Sequence, residues 1–303
     1  MPNDFAIEES DDAVKIVRHY QRSVRLDSDL GRQDALDGYV MTATSREAIS
    51  VMARQIAGSN QRAFTWTGPY GGGKSSLALV LAAALSPEQS LREAPRKLLA
   101  DIPHFQEAFP EDKGEWLVVP VVGRRVGIRA ELSKALSKAQ NTDRNSSDGV
   151  DSLIADLTVE AEKPGRGGVL VVVDEMGKLL EASAAGGDDV HFFQDLAELT
   201  ARCSGKLVVL GILHQAFRQY ASRLGIEARE EWAKVQGRFS DVSFVATGDE
   251  VVELIGRAID CKKQHPDTKS VSDTIGDAIS GRRPAVDRKS TRLNSSHGYT
   301  SYA

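Results

Sequence analysis

The stretch Gly68-Pro69-Tyr70-Gly71-Gly72-Gly73-Lys74-Ser75 lies between two apolar runs, one ending Ala63-Phe64-Thr65-Trp66 and the other running from Leu77 to Leu85. It satisfies the pattern G-x-x-x-x-G-K-[ST]. Glycines let the backbone curl so that successive N–H groups point at phosphate oxygens, and a helix beginning near Lys74 adds its positive dipole end. On this reading Gly68, Pro69, Tyr70, Gly71, Gly72 and Gly73 form the cradle, and Lys74 neutralises the outer phosphates. Ser75 offers its hydroxyl to Mg²⁺, with Ser76 next to it on the same helical turn. The spacing predicts a strand over about 62–67 and a helix over about 74–84. The helix is nearly all Ala, Leu and Ser, which suits burial against a sheet.

The 303 residues are 41% hydrophobic and 27% charged, enough for one large domain or two smaller ones with a real core. No apolar run approaches the roughly 18 residues of a membrane span, and the acidic start is unlike a basic signal peptide. The expectation is a cytoplasmic protein with no membrane partner. Two cysteines, Cys203 and Cys261, make neither a disulfide framework nor a zinc site. A net charge of −5 argues against a global grip on nucleic acid but leaves room for a local basic channel.

The ending Asp287-Arg288-Lys289-Ser290-Thr291-Arg292-Leu293-Asn294-Ser295-Ser296-His297 looks like the in-frame translation of a common sequencing-library adapter. On that reading residues 287–303 are non-native and the native frame breaks near Val286. The chain is then an N-terminal fragment of a longer protein.

Outward from the phosphate loop, helical spacing is expected over Asp11 to Val24 and from about Ser45, where Ala48, Ile49, Met52 and Ile56 share a face. The segment Asp27 to Gly38 reads as loop, and residues 86–114 as a helical connector. The run Trp116 to Val122 predicts a strand, although Pro120 argues against a central position along its whole length. Helices are expected over about 128–139, 150–163 and 190–201. Two continuous aliphatic runs, Val169 to Val173 and Leu207 to Leu213, predict strands covered on both faces, the pattern of a parallel sheet. A short strand at Val242 to Val245 and a helix from Asp249 to Cys261 complete the readable part, with one more helix over 262–286. Strands alternating with helices place the chain in the α/β class.

A phosphate loop needs a second acid to orient Mg²⁺, placed at the end of a neighbouring buried strand. Asp174, ending the run Val169 to Val173, fits. Hydrolysis further needs a group that orients or deprotonates water, and Glu175 follows immediately.

Through the loop residues Gly68, Pro69, Gly71, Gly73, Lys74 and Ser75 and the run Val169 to Glu175, the sequence resembles the AAA+ ATPases, particularly their origin-recognition-like and STAND-like branches. The resemblance spans about residues 35–260. It implies a three-layer α/β P-loop NTPase with a mainly parallel central sheet, followed by the start of a small helical lid. The implied division is an N-terminal helix and loop (1–34), an ATPase core (35–247) and a partial lid (248–286). By the same resemblance Tyr39 lies near the adenine, and His214 or Gln215 occupies the sensor position at the tip of the strand beside the phosphate loop. Arg238 resembles the arginine finger that reaches a neighbouring subunit, and Arg257, Arg282 or Arg283 could serve as a lid arginine. Arg124, Arg125 and Arg129 could line a polynucleotide or partner surface, though a solvated, salt-bridged face is the plainer reading.

The expected activity is Mg²⁺-dependent ATP hydrolysis driving a conformational or assembly change, in a homo-oligomer or larger assembly with a protein or nucleic-acid client. The catalytic set is Lys74, Glu175, Arg238 and Gln215, with Ser75 and Asp174 on the metal. A non-turnover ATP switch and a polynucleotide-dependent motor are the alternatives. Preference for ATP rests on the resemblance, since the chain has no Asn-Lys-x-Asp guanine motif.

Overall fold

In the computed structural model, seven strands and twelve α-helices occupy the residues that the structure describes: 14–16, 24–141, 150–185, 190–203, 205–222 and 224–261. In chain order the strands are β1 (Val14–Ile16), β2 (Ala63–Thr67), β3 (Glu115–Val122), β4 (Arg166–Asp174), β5 (Leu207–Leu213), β6 (Ser240–Ser243) and β7 (Ile259–Cys261). The chain divides into two units, Ser23–Ala246 and a second made of Met1–Arg22 with Thr247–Ala303.

In the larger unit β3, β4, β5, β2 and β6 lie side by side in that order, all parallel. The uninterrupted aliphatic runs account for this arrangement. Every residue of β5 is buried, as is β4 from Gly167 to Asp174, because both faces of the sheet are covered. One face packs Val169, Val171, Leu207 and Val209 under α6 (Ile128–Ala139), α7 (Val150–Glu162) and α9 (His191–Arg202). The other packs Phe64, Trp66, Leu170, Val172, Leu210 and Ile212 under α2 (Ala43–Gly58), α3 (Lys74–Ala84) and α4 (Gln89–Leu99). The result is the expected three-layer α/β fold, with α3 buried along almost its whole length.

Pro120 sits within β3 opposite Val172, and β3 is an edge strand, where a missing N–H leaves no central ladder broken. The segment read as loop over Asp27 to Gly38 instead contains the short α1 (Leu26–Asp29) and a 3₁₀ turn at Gln33–Leu36. Leu26 is fully buried there, so local helical bonds form around a core anchor that the polar composition conceals.

In the smaller unit two helix expectations are corrected. Of Asp11 to Val24, the described residues Val14–Ile16 form a strand, paired antiparallel with Ile259–Cys261. The predicted helix from Asp249 to Cys261 is α12 (Gly248–Ala258), which stops where that pairing begins. Val14, Ile16 and Ile259 are β-branched, and ladder pairing outweighs weak helical spacing. The start of α12 is a reciprocal capping box. The Thr247 amide donates to Glu250 Oε2 (2.9 Å), and the Glu250 amide donates to Thr247 Oγ1 (3.3 Å). The helix expected over 262–286 and the adapter-like tail lie outside the described residues.

Candidate nucleotide site

Because all five strands of the main sheet run the same way, their C-terminal ends open on one edge. The chain leaves β2 there through Gly68, β3 through Gly123, β4 through Asp174 and Glu175, β5 through His214, and β6 through Phe244. Residues scattered over 177 positions are thereby gathered on one rim.

The loop between β2 and α3 is shaped by its glycines. Gly71 and Gly73 have φ of 74° and 87°, a left-handed conformation that other residues adopt at a cost, and the space where a Cβ would stand is open at both. Gly73 caps α3, its carbonyl accepting from the Leu77 amide (2.9 Å). Gly68 is required for a different reason. A Cβ there would meet the Phe244 carbonyl oxygen at 1.9 Å, because the chain leaving β6 folds tightly against the loop. The Phe244 amide donates to the Thr67 carbonyl (2.7 Å), and Thr44 Oγ1 donates to the Val245 carbonyl (3.3 Å). These bonds bring the start of α2, capped by Thr42 Oγ1 accepting from the Ser45 amide (3.1 Å), to the loop's flank. Tyr39, three residues before that cap, packs against the core on this face, and burial pushes its phenol up to about 12.

Lys74 is only 3% exposed, and its ammonium donates to the carbonyls of Gly68 and Pro69 at 2.6 Å each. Burial lowers its pKa, with the Asp174 charge acting in the opposite direction. One residue on, Ser75 Oγ donates to Asp174 Oδ1 (3.0 Å), which also accepts from the Glu175 amide (2.9 Å). Burial raises the Asp174 pKa, and the bonds from Ser75 and Glu175 partly offset it. β5 stands between β2 and β4, so Ser75 and Asp174 meet across an intervening strand.

Glu175 sits in the left-handed region (φ 52°) as the residue preceding α8 (Met176–Ala184), and its carboxylate is paired with Lys178 one turn on. The tight turn is wedged by Gly123. The Gly123 amide donates to the Asp174 carbonyl (2.7 Å), and a Cβ on Gly123 would meet the Glu175 carbonyl oxygen at 2.2 Å. Neither Gly123 nor Lys178 was among the residues expected from the sequence. A Gly closing the β3 run and a Lys three residues after the acid are the signals that could have raised them.

At the strand tip the two candidates differ in exposure: His214 is half-buried with both ring nitrogens shielded, and Gln215 is exposed. Burial, and then the Lys74 charge, lower the pKa of the His214 imidazole. Its ring stacks on Tyr70 with centroids 3.5 Å apart and planes at 19°.

Arg238 lies away from this rim. It precedes β6, whose Ser240 is level with Phe64 near the start of β2, so several strand residues separate it from the phosphate loop of its own chain. Its guanidinium pairs with Glu198 of α9 (3.1 Å) rather than with Asp241 or Glu231. Arg257 pairs with Glu253 on α12, while Arg282 and Arg283 lie outside the described residues. Arg124 and Arg125 are exposed beyond Gly123, with Arg125 3.6 Å from Glu181, and Arg129 lies over the Phe192 ring.

The residues fit a magnesium nucleotide. An open, glycine-formed cradle, a buried ammonium beside it and a hydroxyl–carboxylate pair at the helix start supply what triphosphate oxygens and a hard cation require. Among the described residues no cluster of three or more His, Cys, Asp or Glu side chains forms a metal cage, so a divalent ion here would draw on Ser75, Asp174 and phosphate oxygens. Among the same residues no helix is long and apolar enough to cross a membrane.

No family model and no curated protein matches the chain. Among solved structures it is similar to Cdc6p from Pyrobaculum aerophilum, with a TM-score of 0.38 and 10% identity over 81% of this chain and 54% of that one. It is also similar to the Orc1 protein of Aeropyrum pernix in complex with DNA, with a TM-score of 0.45 and 17% identity over 82% of this chain and 57% of that one. For PCH-2 of C. elegans the TM-score is 0.34 and the identity 15%, over 73% of this chain and 50% of that one. The chain thus spans about half the length of these proteins.

Proposed function

We propose that the protein is an AAA+-like P-loop ATPase that binds ATP with Mg²⁺ and hydrolyses it to drive a change of conformation or assembly. The observation that carries this reading is the 3.0 Å bond from Ser75 to Asp174, with Glu175 next in the chain. A phosphate loop alone speaks only for phosphate binding, whereas a hydroxyl and a buried carboxylate joined at its helix start speak for a metal, and the adjacent acid for turnover.

In this mechanism the loop N–H groups and the Lys74 ammonium bind and orient the phosphates, Lys74 exchanging its two carbonyl partners for phosphate oxygens. Ser75 and Asp174 would hold a magnesium ion, and that ion would supply charge neutralisation to the phosphates. Glu175 aligns the attacking water and takes its proton after release from Lys178. His214 at the tip of β5 is the side chain that senses the outer phosphate. Arg238, far from its own loop, acts on the site of a neighbouring subunit, so turnover requires assembly.

Phosphate release by the purified protein, measured over a range of protein concentrations, tests the reading. Glu175→Gln should retain ATP binding and lose release by at least about a hundredfold. A non-turnover ATP switch is the second reading, favoured by the Glu175–Lys178 pair, which occupies the carboxylate. It predicts tight ATP binding with no phosphate release at any protein concentration.

A further inference from the structure

His214 presents two ring nitrogens, both shielded from solvent, and neither has a hydrogen-bond partner among the described residues. Such groups are uncommon, because a nitrogen that gives up water without a replacement loses free energy. The ring that lies over the imidazole belongs to Tyr70, from the middle of the phosphate loop, at 3.5 Å between centroids and 19° from parallel. Tyr70 is itself 73% exposed. It is followed by Gly71 and Gly72, so both its side chain and its backbone have room to turn outward. The phosphate loop therefore covers, with its own aromatic ring, one face of the imidazole at the tip of the neighbouring strand and fixes which way that imidazole is turned.

We propose that Tyr70 is a removable cap on His214: stacked on the imidazole face, it holds the ring in the orientation that keeps both nitrogens buried, and it must swing off before the ring can turn a nitrogen to a phosphate oxygen or the attacking water. The proposal deepens the reading of this rim as an ATPase site and rests on His214 having the sensing role there. An aromatic pair shifts an equilibrium by about two- to tenfold, a weight that nucleotide entering the loop can overcome. The cap slows engagement of His214 without preventing it. Its release frees the imidazole to turn its hydrogen-bonding edge toward the phosphate when that group arrives.

Carbethoxylation of histidines by diethyl pyrocarbonate, resolved by peptide mass spectrometry, reads the cap directly. His104 and His191, with side chains 49% and 46% exposed, serve as references within the same sample. Without nucleotide, His214 should react more slowly than both. Tyr70→Ala should raise the His214 rate by about two- to tenfold and leave the references unchanged, while Tyr70→Phe, which preserves the stack, should match the wild type. A His214 rate that ignores Tyr70→Ala overturns the cap.

Turnover then tests its consequence. Tyr70→Ala should raise kcat by a similar factor, and His214→Ala should lower it. Adding Tyr70→Ala to His214→Ala should bring no rise, because the two act on one step. A lower kcat in Tyr70→Ala overturns the capping role. If His214→Ala leaves kcat at the wild-type value while the modification rate responds to Tyr70→Ala, the sensing role of His214 fails and the cap stands. If no variant releases phosphate, the hydrolytic reading fails and the modification rates alone decide the cap.

Discussion

Ser75 Oγ lies 3.0 Å from Asp174 Oδ1, although ninety-nine residues separate the two in the chain. The contact joins the first turn of α3 to the last residue of β4 and passes over the end of β5, so it depends on the sheet order as much as on either side chain.

Lys74→Met should weaken nucleotide binding by about ten- to a hundredfold, the weight of a charge-assisted bond to phosphate. The rise in melting temperature that ATP brings to the wild type should disappear with it. Isothermal titration and thermal melts with and without nucleotide check this, and undiminished affinity would remove Lys74 from the site.

Arg238→Ala should lower phosphate release by at least about a hundredfold at concentrations where the protein assembles, with ATP affinity retained. The lost pair with Glu198 is half exposed and should cost under about 1 kcal/mol of stability. Mixing Arg238→Ala with Glu175→Gln subunits should restore part of the activity, since each supplies what the other lacks. No recovery in any mixture would argue against action between subunits.

Gly68→Ala should destabilise the fold by more than about 2 kcal/mol, because the new methyl group overlaps the Phe244 carbonyl and backbone must move. Gly58→Ala, which meets nothing within 4 Å, provides the control. Urea unfolding of the two variants should separate them clearly.

Burial pushes the Tyr39 phenol up to about 12, so the folded state favours its neutral form. The stability that Tyr39 supports is then full below the ordinary phenol value of about 10 and is lost as pH rises through about 12. Relative to Tyr39→Phe, the wild type should lose about 2 kcal/mol between about pH 9 and pH 12. Denaturant unfolding at a series of alkaline pH values checks this, and a difference that stays constant with pH would count against it.

Much of the fold was legible because its signals are local or compositional. The runs Val169 to Val173 and Leu207 to Leu213 have no polar alternation, and only a sheet covered on both faces accommodates them. The failures fell where local preference was weak and a distant partner decided. Val14–Ile16 and Ile259–Cys261 look helical by spacing, yet each is a strand because the other is. The polar segment around Leu26 hides its one buried anchor for the same reason.

The sequence by itself determined the phosphate loop, since a contiguous stretch of glycines followed by Lys74 and Ser75 encodes both its backbone conformation and its chemistry. It also determined that a buried strand delivers Asp174 and Glu175 together at its end. Only the tertiary structure decided that Ser75 meets Asp174, that His214 has its ring nitrogens shielded while Gln215 is exposed, that Tyr70 stacks on His214, that Gly123 wedges the Glu175 turn, and that Arg238 lies remote from its own loop. These are relations between strands. They depend on sheet order and on which way a strand end points, and no stretch of chain specifies either without its neighbours in place.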